Sequence, residues 1–102
     1  MAVKLIDASK EGALRKLSNS GWDYIKERNA IRRNFEFKNF IEAFNWMTKV
    51  ASYANKINHH PEWFNVYKTV EVVLTTHDCA GISDLDVKMA EKMDILAEKK
   101  TF

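Results

Sequence analysis

Among its 102 residues the chain has one cysteine, one proline, three glycines and three histidines. A lone thiol, Cys79, has no partner for an internal disulfide, which excludes a disulfide-stapled scaffold. With so little proline and glycine, no stretch has the composition of a linker between domains. Charge of one sign is not concentrated either. The formal net charge of +2 and the isoelectric point near 8.7 arise from interspersed Lys, Arg, Asp and Glu. Direct nucleic-acid binding therefore has no basic block to rest on. No run approaches the roughly 20 apolar residues that a membrane-spanning helix needs. The first residues, MAVKLIDASKEG, lack the long apolar core of a signal peptide, so the expectation is a cytoplasmic protein with a reduced thiol.

What is present suits one packed core. Hydrophobic residues make up 46% of the chain and aromatic residues 12%, enough for a single domain over residues 1–102 and too many for a disordered one. Ala13, Leu14 and Leu17 recur at helical spacing within a first helix over about residues 9–17, with Gly21 as terminator. Trp22 and Tyr24, then Ile31, Phe35 and Phe37, read as two strands joined by the polar turn Lys26 to Asn29. Arg33 interrupts the apolar face of the second strand, and its long side chain suits an exposed sheet edge. Asn39 and Glu42 resemble a capping box. They open a long helix whose apolar stripe is read as Phe40, Ala43, Phe44, Met47, Val50, Ala51 and Ala54, with Phe40 to Met47 in the core.

Residues 63–67 and 70–76 predict a second strand pair with a tight turn at Lys68-Thr69. In the latter, Val70, Val72, Leu74 and Thr76 alternate with Glu71, Val73, Thr75 and His77, which is the period of a half-buried strand and puts His77 near its end. Ser83 and Asp86 form an S-x-x-D cap for a last helix carrying Leu85, Met89, Met93 and Leu96. Asp86 is explained by that capping role alone. The order of helix, strand pair, helix, strand pair, helix predicts an α+β fold: a four-stranded antiparallel sheet with three helices packed on one face. So small a sheet leaves a face and an edge uncovered, which predicts self-association.

Chemistry concentrates between Asn55 and Cys79, the stretch that holds every histidine, the proline and the cysteine. His59 and His60 precede Pro61 and so lie in extended, non-helical backbone. Histidines titrate nearest neutrality, so a set of them can keep one protonated and one neutral member. Two other readings stand beside acid/base work. Adjacent histidines in a loop often only make structural hydrogen bonds, and His59, His60, His77, Asp78 and Cys79 include metal-ligand types. For a metal the spacing is poor, since neighbouring residues rarely aim at one ion and no C-x-x-C or H-E-x-x-H occurs. Nothing marks Cys79 as a nucleophile, and Trp63 and Phe64 read as packing.

The run N-H-H-P-E-W-F-N-V-Y at Asn58 to Tyr67, with T-T-H-D-C-A-G-I-S-D-L-D at Thr75 to Asp86, resembles the pterin-4a-carbinolamine dehydratase family. Gly21-Trp22 and the F-x-F-K-x-F of Phe35 to Phe40 fit it as well. That resemblance implies a hydro-lyase that dehydrates 4a-hydroxytetrahydrobiopterin to quinonoid dihydrobiopterin with no metal and no cofactor. It implies His59, His60 and His77 as catalytic, with His59 the principal acid/base, His77 its counterpart and His60 orienting substrate. Pro61, Thr76, Asp78 and Cys79 would join the three histidines in binding the pterin. It further implies a homodimer or homotetramer. For animal members it also implies a nuclear role as dimerisation cofactor and coactivator of a homeodomain transcription factor. The family often carries acidic residues where this chain has Asn55 and Asn58, and loss of those carboxylates predicts slower dehydration or activity shifted toward lower pH.

Overall fold

The structure is a computed structural model and describes residues 2–98. Helix α1 spans Asp7–Asn19, strand β1 Asp23–Ile25, a 3-10 turn Lys26–Arg28, and strand β2 Ala30–Glu36. Helix α2 follows over Phe40–Ile57, then strands β3 (Glu62–Val66) and β4 (Thr69–Leu74). A second 3-10 turn covers His77–Cys79, and helix α3 covers Asp84–Glu98. The strands form one antiparallel sheet in the order β1-β2-β4-β3. This is the α+β arrangement that the sequence predicts.

Alternation decides which sheet face is buried. Ile31, Arg33 and Phe35 of β2 pair with Leu74, Val72 and Val70 of β4, so these six side chains share one face. Trp63 pairs with Val72 and adds β3 to the same face. The helices close that face. Trp46 of α2 lies fully buried against Phe35, with ring centroids 4.5 Å apart, and its indole donates to the Met93 carbonyl of α3 at 3.1 Å. Burying such a ring contributes about 3 kcal/mol of hydrophobic free energy.

Three expectations need correction. The long helix buries Ala43, Trp46, Val50 and Ala54, whereas Phe40, Phe44 and Ala51 face outward. The inward stripe is rotated toward Trp46 because the first two turns of α2 are apolar on more than one side. Arg33 lies just past the β1 pairing, which ends at Arg32, but its side chain does not run out to solvent. Its guanidinium stays on the helix side, 2.6 Å from the Asp94 carboxylate and stacked 4.5 Å from the Phe35 ring centre. Asp94 also accepts from the Trp22 indole, yet its burial prevails and holds its carboxyl above the ordinary range. Finally, the β3–β4 turn falls one residue earlier. Tyr67 takes the left-handed conformation at φ 50° and Thr69 is already in β4.

The terminator of α1 behaves as its sequence implies. Gly21 has φ +101°, and a Cβ there would lie 3.3 Å from Arg33 Nε, so both backbone and space favour glycine. No helix among the described residues is long and apolar enough to cross a membrane.

Candidate active site

The histidine loop and the end of β4 meet at one end of the sheet. Glu62 opens β3 opposite Val73, one residue before β4 ends, so the antiparallel pairing brings Pro61 and the 75–79 segment to the same rim. The loop is aimed by the end of α2. Asn58 adopts the left-handed conformation at φ 55°, its N–H donates to Asn55 O, and the His59 N–H donates back to Ala54 O at 3.0 Å. These are the two bonds of a Schellman ending, and asparagine tolerates the conformation better than other side-chain-bearing residues. The turn tips His59 inward.

His59 is 9% exposed, and its Nε2 donates to Asp86 Oδ1 at 2.7 Å. Asp86 itself is fully buried in the first turn of α3. Its other oxygen accepts from the Thr76 hydroxyl at 2.7 Å and from the Ser83 N–H at 2.8 Å. Thr76 has spent its one hydroxyl hydrogen on Asp86, so Ser83 is the donor in the 2.6 Å contact between the two hydroxyls. The Ser83 hydroxyl in turn accepts from Leu85 N, which completes the cap predicted for α3. Four side chains thus form one satisfied buried network, and no buried side-chain polar atom among the described residues lacks a partner.

His77 lies not in the strand but in the 3-10 turn just beyond it, and is largely exposed. Its Nε2 is 3.7 Å from Glu62 Oε2. Glu62 is gripped by Arg28 through two 2.9 Å bonds, which keep its carboxyl below the ordinary 4.5 of a glutamate. His60 is exposed and, among the described residues, reaches only the Asn55 amide oxygen, at 3.5 Å. Pro61 and Cys79 are half-buried, the Cys79 thiol is free, and Asp78 is exposed.

The structure therefore joins His59 to Thr76 through Asp86, and His77 to the histidine loop through Glu62, while His60 stands apart from both. Two cavities, of about 690 Å³ beside Arg33 and Asp94 and about 340 Å³ beside Lys4 and Gly81, are lined by none of the three histidines. The chemistry of the side chains marks the rim between β3 and β4. No group of three His, Cys, Asp or Glu side chains among the described residues is placed to hold a metal ion.

Asp86 is the site residue that a capping role concealed. Its signal lay in α3 itself: Asp86 falls on the stripe of Met89, Ala90 and Met93 at i, i+3, i+4 and i+7, and a carboxylate on a buried stripe demands a partner. Glu62 had no comparable signal, because an acidic residue at the start of an edge strand is ordinary.

Residues 4–96 match the family model described as pterin 4 alpha carbinolamine dehydratase. The chain belongs to the pterin-4a-carbinolamine dehydratase family. A relative from Jannaschia sp. (strain CCS1), which carries the provisional name pterin-4-alpha-carbinolamine dehydratase, is 57% identical over 98 residues, covering 96% of this chain and all of that one. A Roseobacter denitrificans relative of the same provisional name is 56% identical over 97 residues, covering 95% and 99%. A crystal structure from Brucella melitensis, described as a transcriptional coactivator/pterin dehydratase, superposes with a TM-score of 0.86 at 46% identity, covering 93% of this chain and 99% of that chain. Membership in the dehydratase family thus rests on nearly the whole chain, the histidine rim included.

Proposed function

We propose that this chain, as a single dehydratase domain, removes water from 4a-hydroxytetrahydropterin, with His59 and His77 as the acid/base pair and no metal or cofactor. The observation that carries the reading is the buried His59–Asp86 pair, 2.7 Å apart, at the same sheet end as His77. In the reaction the C4a–O bond breaks and the hydroxyl leaves as water after gaining a proton. N5 gives up its proton, and its electron pair forms the C4a=N5 bond of the quinonoid dihydropterin. One imidazolium and one imidazole meet that demand, each returning to its starting state through solvent exchange. Asp86 fixes the His59 ring and stabilises it when cationic, as a positioning carboxylate does behind a working histidine. His60, Pro61, Thr76, Asp78 and Cys79 would border the pterin. His60 would orient it from the solvent side.

The test is dehydration of synthetic 4a-hydroxytetrahydropterin followed by absorbance, with quinonoid dihydropterin forming faster than in buffer. A rate equal to that of buffer would reject the enzyme.

A second reading, a protein-binding coactivator that partners a homeodomain transcription factor in the nucleus, is favoured by one observation. Helix α2 exposes Phe40, Ile41 and Phe44, with the two phenyl ring centres 5.6 Å apart and tilted by 36°. The same face, or the free edge of β3 with exposed Phe64 and Val66, would otherwise close a homodimer or homotetramer. A binding module would keep its partner when His59 and His77 are replaced by alanine, whereas a dehydratase would lose its reaction.

A further inference from the structure

We propose that Glu62, clamped by Arg28, is the positioning residue for His77: it holds the Nε2 side of the ring and leaves Nδ1 to work on the substrate. The role deepens the dehydratase reading and rests on it.

Three elements converge to make the arrangement. Trp63 packs toward the helices, so the alternation of β3 turns Glu62 to the opposite, open face of the sheet at the rim. Arg28 ends the 3-10 turn between β1 and β2. That turn is fastened to the end of β4, because Asn29 closes it in the left-handed conformation and its carbonyl accepts from the Thr75 hydroxyl at 2.9 Å. His77 begins two residues after Thr75. The guanidinium and the ring thus hang from two backbone segments tied together by that bond, and Glu62 reaches them from the neighbouring strand.

The contacts have a direction. Arg28 Nη1 donates to Glu62 Oε1 and Nη2 to Oε2, each at 2.9 Å, which fixes the carboxylate plane. Oε2 then faces His77 Nε2 at 3.7 Å. Among the described residues Glu62 is the only side chain in ion-pair contact with that ring. An exposed ion pair such as Arg28–Glu62 adds little to folding stability, so its two-pronged geometry is better used in orientation than in holding the fold. The bonds from Arg28 also hold the Glu62 carboxyl below its ordinary value.

His59 shows the same design in buried form. Its Nε2 is taken by Asp86, so it too has Nδ1 left for the pterin. Two imidazoles, each backed by a carboxylate on Nε2, would present equivalent nitrogens to the C4a hydroxyl and the N5 hydrogen. A carboxylate behind His77 stabilises the ring whenever it carries the extra proton and biases the neutral ring toward the Nε2–H form.

The experiment measures kcat and KM on synthetic 4a-hydroxytetrahydropterin for the wild type, Glu62→Gln, Glu62→Asp, His77→Ala and the Glu62→Gln/His77→Ala double variant. Alongside it, ring-nitrogen NMR follows His77 in the wild type and in Glu62→Ala. Expected are a loss of kcat of about tenfold in Glu62→Gln with little change in KM, partial rescue in Glu62→Asp, and no further loss from Glu62→Gln once His77 is gone. The neutral His77 ring carries its proton on Nε2 in the wild type and loses that bias in Glu62→Ala. Wild-type kcat in Glu62→Gln, or an equal loss in both His77 backgrounds, overturns the proposal. A wild type without activity overturns the dehydratase reading instead, and in that case an unchanged tautomer in Glu62→Ala would overturn the contact itself.

Discussion

The His59 imidazole and the Asp86 carboxylate lie 2.7 Å apart with hardly any exposure, on elements 27 residues apart in the chain. Asp86 is therefore at once the helix cap that the S-x-x-D pattern announces and the residue that fixes the ring. Its third bond, from Thr76, ties the end of β4 into the same unit. A change at Asp86 should register in folding and in catalysis together.

Asp86→Ala strands the Ser83 N–H, the Thr76 hydroxyl and the His59 ring in a site closed to water. The expected loss is about 3 kcal/mol of stability, measured by urea unfolding. Asp86→Asn keeps the size and can still accept from Ser83 and Thr76. It is expected to fold and to lose at least about tenfold in kcat, since the ring loses its anionic partner. Retained kcat in Asp86→Asn would reduce Asp86 to a cap.

Asn58 sits at φ 55°, a conformation that a β-carbon disfavours in most residues. Asn58→Ala is expected to cost about 1 kcal/mol, whereas Asn58→Gly should unfold at the wild-type temperature or above. Thermal melts of the two variants decide whether this asparagine serves the turn that aims His59.

Glu62 has its carboxyl held below 4.5 by Arg28, so in the folded state it binds its proton less readily than in the unfolded chain. Such a group contributes stability above the unfolded value, and the contribution is lost as pH falls through the lower folded value. The side chain is nearly half exposed, so the effect is small. Melting temperatures from pH 6 down to pH 3 should show the wild type slightly above Glu62→Gln at the upper end, with the gap closing below about pH 4.5. A gap that widens in acid would contradict the assignment.

Phe44 and Trp46 are two residues apart on α2, yet one is half exposed and the other fully buried. Phe44→Ser should change unfolding free energy by no more than about 0.5 kcal/mol, while Trp46→Ala should cost about 3–5 kcal/mol. Denaturant titrations separate the two.

The same pair explains what was legible in the sequence. Strand β4 was plain because Val70, Val72 and Leu74 all point inward and all are buried, with Val73 the one apolar residue on the other face. The first turns of α2 offer Phe40, Ile41, Phe44, Trp46 and Met47 within eight positions. Periodicity alone cannot choose among faces when several are apolar, and packing on Phe35 chose Trp46. The histidines were legible as a group, and the T-H and H-H-P runs point to the rim they share. Their carboxylate partners were not. Asp86 and Glu62 approach His59 and His77 from elsewhere in the fold, through strand register and helix placement that a linear pattern does not carry. Asn55 lies 3.5 Å from His60, while the carboxylates nearest His59 and His77 come from α3 and β3.

The most direct test of the central claim sets the purified wild type beside a His59→Ala/His77→Ala double variant in the dehydration of synthetic 4a-hydroxytetrahydropterin, with circular dichroism confirming that both are folded. Acceleration by the wild type and the rate of buffer in the folded double variant is the predicted result. Equal acceleration by both, or none by the wild type, would contradict the assignment of the acid/base pair to His59 and His77.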